Sequence, residues 1–270
     1  MRHYSIIALL VLLTSCAANH KGDCQFTIKI DKVGATKATV TIEPSDPSAY
    51  YISNFLSEEM DYYTWKDQDN VKFQLDFIQE MMQAAAEFSK TDIDFASFCC
   101  YQGQKEDKIY YLTPDTSYKI IVFQVDPQTR ESVGTPVSVT FHTNTIEKSS
   151  ITFQFKWEAD KLTITPSNND EYFWDFEEKD VILDEYPSVE TYFLDLTFFY
   201  EDYDFMPAMT NRGQVEYVFS EEHPGIDEGD HCCLAIGGYS SESGEVTTDI
   251  TTLEFIYHKD KPCELVQDKN

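Results

Sequence analysis

The segment Ser117-Tyr118-Lys119-Ile120-Ile121-Val122-Phe123-Gln124-Val125-Asp126 constrains this chain more than any other. Its β-branched and aromatic content marks a strand, yet it does not alternate between apolar and polar. If Tyr118, Ile120 and Val122 face one core, then Ile121, Phe123 and Val125 face the opposite way and are equally apolar. A sheet with one wet face is excluded, so something must cover the second face. Tyr50, Tyr51 and Ile52 repeat the problem, whereas Thr39-Val40-Thr41-Ile42 alternates cleanly.

The cover is present in the sequence. Between Ser57 and Ser97 there is no Gly or Pro, and Val71, Leu75, Ile78, Met82, Ala85 and Phe88 recur at helical spacing. The pattern predicts an amphipathic helix of about five turns with Asp67 or Asp69 as N-cap. Burying such a stripe on the second sheet face contributes about 1.5–3 kcal/mol per side chain.

The chain repeats this plan. Pro44 through Ile52 aligns without gaps on Pro166 through Trp174, and Phe95 through Gln104 aligns on Phe205 through Gln214. Ser188 to Tyr200 supplies the second helix, with Val189, Phe193, Leu196 and Tyr200 on one stripe. Two matching blocks in the same order mark a tandem duplication.

In the first copy, Leu112-Thr113-Pro114-Asp115-Thr116-Ser117-Tyr118 precedes the apolar strand, and Thr135 to Thr143 follows as a closing strand. The spacing resembles the tyrosine corner and strands F and G of a fibronectin type III domain. Phe26 to Ile30, Thr39 to Ile42 and Tyr50 to Ile52 then read as strands A, B and C. Ile42 stands where that family carries a Trp. In the second copy His231 to Ile236 and Leu253 to Tyr257 read as strands F and G, with His231 expected at the Tyr118 position. The fold expected is mainly β with inserted α-helices: two tandem immunoglobulin-like, fibronectin type III-like sandwiches. Each has a helix between strands C and E packed on the outer C-F-G face. The domains expected are 25–144 and 151–258, joined by a linker at 145–150 and followed by a tail at 259–270.

Residues 1–15 read as a signal peptide, with Arg2 as the basic region and Ile6 to Leu13 as an apolar core too short to span a bilayer. Leu13-Thr14-Ser15-Cys16 resembles the lipobox of bacterial lipoproteins. That resemblance implies a lipid on Cys16, a tether over 16–24, and attachment to the outer membrane of a bacterial envelope. A formal net charge of −28 argues against nucleic acid as a partner, which would need a basic patch. With Cys16 lipidated, Cys24, Cys99, Cys100, Cys232, Cys233 and Cys263 are the candidate disulfide participants in an exported chain. Pairings of Cys24 with Cys99-Cys100, and of Cys263 with Cys232-Cys233, would stay within single domains.

No nucleotide loop, nucleophile elbow or zincin motif occurs. His231-Cys232-Cys233 cannot converge on one ion, because successive strand residues point to opposite faces, so no metal or other cofactor is expected. Glu58-Glu59, Glu177-Glu178, Glu201-Asp202, Asp204 and Glu221-Glu222 read as a solvated surface. Tyr62, Tyr63 and Trp65, ahead of the first helix and off its stripe, are the candidate ligand-binding patch. The resemblance implies a membrane-anchored, non-catalytic binding, adhesion or accessory module for glycan or peptide ligands. Two alternatives stand beside it. One is an envelope glycan hydrolase using a carboxylate pair, and the other a structural subunit of a surface assembly.

Overall fold

The computed structural model describes residues 23–57, 66–222 and 225–266. The expected signal segment, Cys16 and the candidate patch Tyr62, Tyr63 and Trp65 lie outside the described residues. The chain divides into two compact units, Met1–Thr145 and Ile146–Asn270.

The first unit runs β1 (Phe26–Val33), β2 (Ala38–Pro44), β3 (Tyr51–Ser57), α1 (Asp67–Ser89), α2 (Phe95–Cys99), β4 (Lys105–Ile109), β5 (Ser117–Asp126) and β6 (Glu131–His142). Two antiparallel sheets form, β1-β2-β4 and β3-β5-β6, the A-B-E and C-F-G halves of a fibronectin type III-like sandwich. Phe26, Ile28, Val40, Ile42, Tyr51, Ile120 and Val122 fill the space between them. On the outer face, Ile52, Ile121, Phe123 and Val125 meet Val71, Ile78 and Met82 of α1 and Phe95 of α2. The doubly apolar strand is therefore sealed by the helix, as its pattern requires.

The Tyr118 corner is formed. Its hydroxyl accepts from the Thr113 N–H at 2.8 Å, and Thr143 Oγ1 donates to the Thr113 carbonyl at 2.7 Å while accepting from the Thr116 N–H at 2.9 Å.

Two details of the helix differ from expectation. Lys66 is the N-cap and provides no side-chain cap bond. Asp67 turns instead onto the sheet, where its carboxylate accepts from Lys119 Nζ at 3.1 Å and Ser138 Oγ at 2.7 Å. The sheet's cation outcompetes the helix's own N–H groups for that carboxylate, since Lys119 is 2% exposed and needs an anion. The buried stripe also stops short of Phe88, which is 93% exposed.

The second unit runs β7 (Phe153–Glu158), β8 (Lys161–Pro166), β9 (Tyr172–Glu178), α3 (Lys179–Glu185), α4 (Val189–Asp202), α5 (Met206–Met209), β10 (Val215–Val218), α6 (Phe219–Glu222), β11 (His231–Ser240), β12 (Glu245–Val246), β13 (Thr251–Ile256) and β14 (Glu264–Leu265). One sheet is β10-β8-β7; the other is β9-β11-β13, with β12 on β11 and β14 on β13. Leu162, Ile164, Tyr172, Phe176, Cys232, Leu234, Ile236 and Phe255 fill the inter-sheet core. Phe173, Ala235 and Tyr239 face outward onto Phe193 of α4 and Met206 of α5. Ser188 caps α4, accepting from the Thr191 N–H at 3.2 Å. The lid has a part that periodicity did not announce: α3, whose Ile182 packs with Tyr192 and Cys233.

The two copies correspond with one correction to the ungapped alignment. Tyr51 and Tyr172 are both fully buried and donate to the carbonyls of Gly103 (3.0 Å) and Gly213 (2.8 Å). Both glycines sit at φ +70°, in the left-handed region that disfavours other residues. Tyr51 therefore matches Tyr172, not Phe173. The turn after Pro166 is one residue shorter than the turn after Pro44, and a one-residue slip reverses every face beyond it. The same ladder logic moves the corner. Tyr118 pairs with Phe141 and Cys232 with Phe255, so Cys232 occupies the Tyr118 position and His231 lies beside it, on the opposite face.

The six described cysteines are free. Cys24 packs in the inter-sheet core, while Cys99 and Cys100 pack under α1, so the β3-β5 sheet lies between them and the expected pairing is not formed. Cys232 and Cys263 share the second core, and Cys233 faces the lid. Burial raises the Cys232 thiol to about 12 and the Cys233 thiol to about 11, which disfavours the reactive thiolate.

Candidate functional site

The most chemically distinctive concavity lies beneath the lid of the second unit. β9 creates it by alternation: Tyr172 and Phe176 turn into the sandwich, while Phe173 and the two acids Asp175 and Glu177 turn the other way. α3 contributes Val181, Ile182 and Glu185. Its C-cap residue Tyr186 is followed by Pro187, which ends the helix and turns the chain into α4. α4 contributes Tyr192, Leu196 and Tyr200, spaced so that all three lie on one face. Tyr217 of β10 closes the side. Together with Phe176 these residues line a cleft of about 460 Å³, a size usual for small-ligand sites.

The geometry fixes several groups. Tyr192 Oη donates to Asp175 Oδ2 at 2.5 Å, and Tyr186 Oη donates to Asp195 Oδ2 at 3.2 Å. Burial, reinforced by the Asp175 and Glu177 charges, drives the Tyr192 hydroxyl far above its ordinary range, so it remains a donor at all physiological pH. Tyr200 is raised too, by burial and then by Asp175. The rings meet at steep angles: Tyr186 and Tyr192 at 68° with centroids 5.4 Å apart, Tyr217 and Trp174 at 89° and 5.1 Å. Such edge-to-face contacts build walls and corners rather than a flat platform.

The first unit has a cleft of about 400 Å³ under its own lid, with a different lining. Val71, Leu75, Met82 and Phe95 supply apolar surface, and Lys72 and Arg130 are matched by Asp76 and Glu131. On the far side of the lids, Phe73 and Phe77 of α1 are exposed with near-parallel rings, and Phe199, Tyr203 and Phe205 form an exposed series after and along α4.

Of the acids considered in the sequence, Glu177 enters the cleft. Glu178 is exposed on the same strand, and Glu201, Asp202 and Asp204 surround the exposed ring series. His231 bonds Glu254 at 3.0 Å, and among the described residues no three His, Cys, Asp or Glu side chains converge as a metal site. Asp175, Tyr186 and Tyr217 were not singled out in the sequence. Asp175 did carry a signal, as the one acid within the otherwise aromatic run Tyr172 to Phe176.

No family model matches this chain, and no curated protein matches it. Among solved structures it is similar to the FN1–FN3 domains of chicken CNTN1, with 12% identity and a TM-score of 0.26. The match covers 87% of this chain and 66% of that one, just under two thirds. The assignment as a fibronectin type III-like sandwich rests on the A-B-E and C-F-G strand order and on the Tyr118 corner.

Proposed function

We propose that this protein is a non-catalytic binding module of the bacterial cell envelope, anchored to the outer membrane through a lipid on Cys16. Its second unit would capture a glycan or peptide ligand in the cleft between β9 and the α3–α4 lid. One observation carries the reading: a sandwich that usually serves as a binding scaffold has here acquired a lid, and the lid encloses four tyrosines and three carboxylates in one concavity. No helix among the described residues is long and apolar enough to cross a membrane, so attachment in this reading falls to the acylated terminus.

The test is a glycan array and a peptide screen on the mature chain, each repeated with Tyr186→Ala. Tyr186 is half-buried at the cleft and its hydroxyl bonds only α4, so its loss should abolish binding while leaving the circular dichroism unchanged. Two empty screens would remove the proposal. Incorporation of labelled palmitate by the full chain, lost in Cys16→Ala, is the expected result for the anchor.

A hydrolase reading draws on the same cleft, because Asp175, Glu177 and Glu185 all line it. A general acid requires a carboxyl with a raised pKa. Release of reducing sugar ends by the wild type, and its loss in Glu185→Gln, would overturn the non-catalytic reading.

A further inference from the structure

We propose that the cleft of the second unit is a cation-selective site that takes the basic side chain of a peptide, an arginine guanidinium or lysine ammonium, rather than a neutral sugar. This rests on the reading of that unit as a ligand-binding module and sharpens it to one ligand class.

Charge is the first argument. Asp175, Glu177 and Glu185 line the cleft, and among the described residues no Lys, Arg or His does. The stretch that builds the lid adds acids and no base: from Asp180 to Asn211 there are eight Asp or Glu residues and no basic residue. The bases that flank this stretch are already engaged. Lys179 bonds both carboxylate oxygens of Glu254, at 2.7 and 2.8 Å, and Arg212 bonds Glu171 at 2.8 Å. A concave, low-dielectric wall carrying one sign of charge concentrates the field for a ligand of the opposite sign.

Ring geometry is the second argument, and it is independent of charge. Tyr186, Tyr192, Tyr200 and Tyr217 join Phe176 in one cavity, with Tyr186 and Tyr192 meeting at 68° and Phe176 and Tyr217 at 76°. Sugar stacking favours a flat exposed ring. Several rings set at steep angles around one cavity suit a cation, whose attraction to an aromatic ring is electrostatic. The lining also argues against a bare divalent ion, since among the described residues no three ligating groups converge.

The duplication supplies the control. The first unit has the same sandwich and a helical lid, and its cleft is of similar size. Its lining balances two acids with two bases and holds one aromatic ring. The acid-and-tyrosine lining is therefore not a requirement of the lidded fold, and belongs to the second copy alone.

The experiment measures binding of a fluorescein-labelled hexapeptide with a central arginine to the mature chain, beside its lysine and citrulline counterparts and neutral oligosaccharides. Citrulline keeps the shape of arginine and removes its charge. The arginine and lysine peptides should bind, the citrulline peptide should be weaker by about tenfold or more, and binding should fall as salt rises. The double variant Glu177→Gln, Glu185→Gln should lose the preference for arginine over citrulline, with an unchanged melting temperature because Glu185 is exposed and Glu177 half-buried. Equal binding of the arginine and citrulline peptides overturns the cation assignment. So does binding of neutral oligosaccharides alone, though it would leave the binding-module reading standing if Tyr186→Ala abolished it. No binding of any probe counts against both.

Discussion

At the scale of single residues, the two units solve one problem with opposite polarity. A lid helix must be pinned where it starts, or its apolar stripe slides on the sheet. In the first unit the pin is an acid on the lid and a base on the sheet: Asp67, the first residue of α1, reaches the buried Lys119 of β5. In the second it is a base on the lid and an acid on the sheet: Lys179, the first residue of α3, reaches Glu254 of β13. Removing Asp67 takes away two hydrogen bonds, those from Lys119 and Ser138. Asp67→Ala should therefore cost the first unit about 1–3 kcal/mol, read by chemical denaturation. Replacing both partners, Asp67→Leu with Lys119→Met, should recover most of that loss. A single variant as stable as the wild type would show that the pair does not hold the lid.

At the scale of elements, the Glu254 pin makes the second lid acid-sensitive. The hydrogen bond from Lys179 holds the Glu254 carboxyl below the usual carboxylate range, with smaller help from Lys179's charge and from His231. A depressed folded-state pKa contributes stability that is complete above the unfolded value of about 4.5 and is lost as pH falls through the folded value. The melting temperature should fall less steeply below about pH 4.5 in Glu254→Gln than in the wild type; parallel acid limbs would contradict the linkage. The lids were also the most legible elements. Ile121, Phe123 and Val125 demanded a cover, and Val71, Ile78 and Met82 supplied it. What stayed hidden is equally specific. α3 spans two turns, too few to show a period. The turn after Pro166 drops one residue, a deletion that shifts register without leaving a motif. The cleft needs Asp175, Tyr186 and Tyr217 from three separate elements, and only the fold brings them together.

At the scale of the whole molecule, the duplication separates scaffold from function. Each copy keeps the buried tyrosine that reaches a left-handed glycine, the A-B-E and C-F-G ladders and the covered C-F-G face. The copies diverge at the corner, where Tyr118 gives way to Cys232, and in the lid clefts, where a balanced lining gives way to acids and tyrosines. Selection for folding explains the first set of features, and ligand capture is the reading proposed for the second. Both depend on the lid being part of the fold and not an appendage. Thermal unfolding of the full chain carrying Phe123→Asp or Ala235→Asp tests this most directly, since each residue is at most 1% exposed on a face that a lidless sandwich leaves wet. A charge buried there without a partner should cost several kcal/mol, lowering or abolishing the transition of the unit that carries it. Melting temperatures unaltered by both substitutions would contradict the covered sheet and everything built on it.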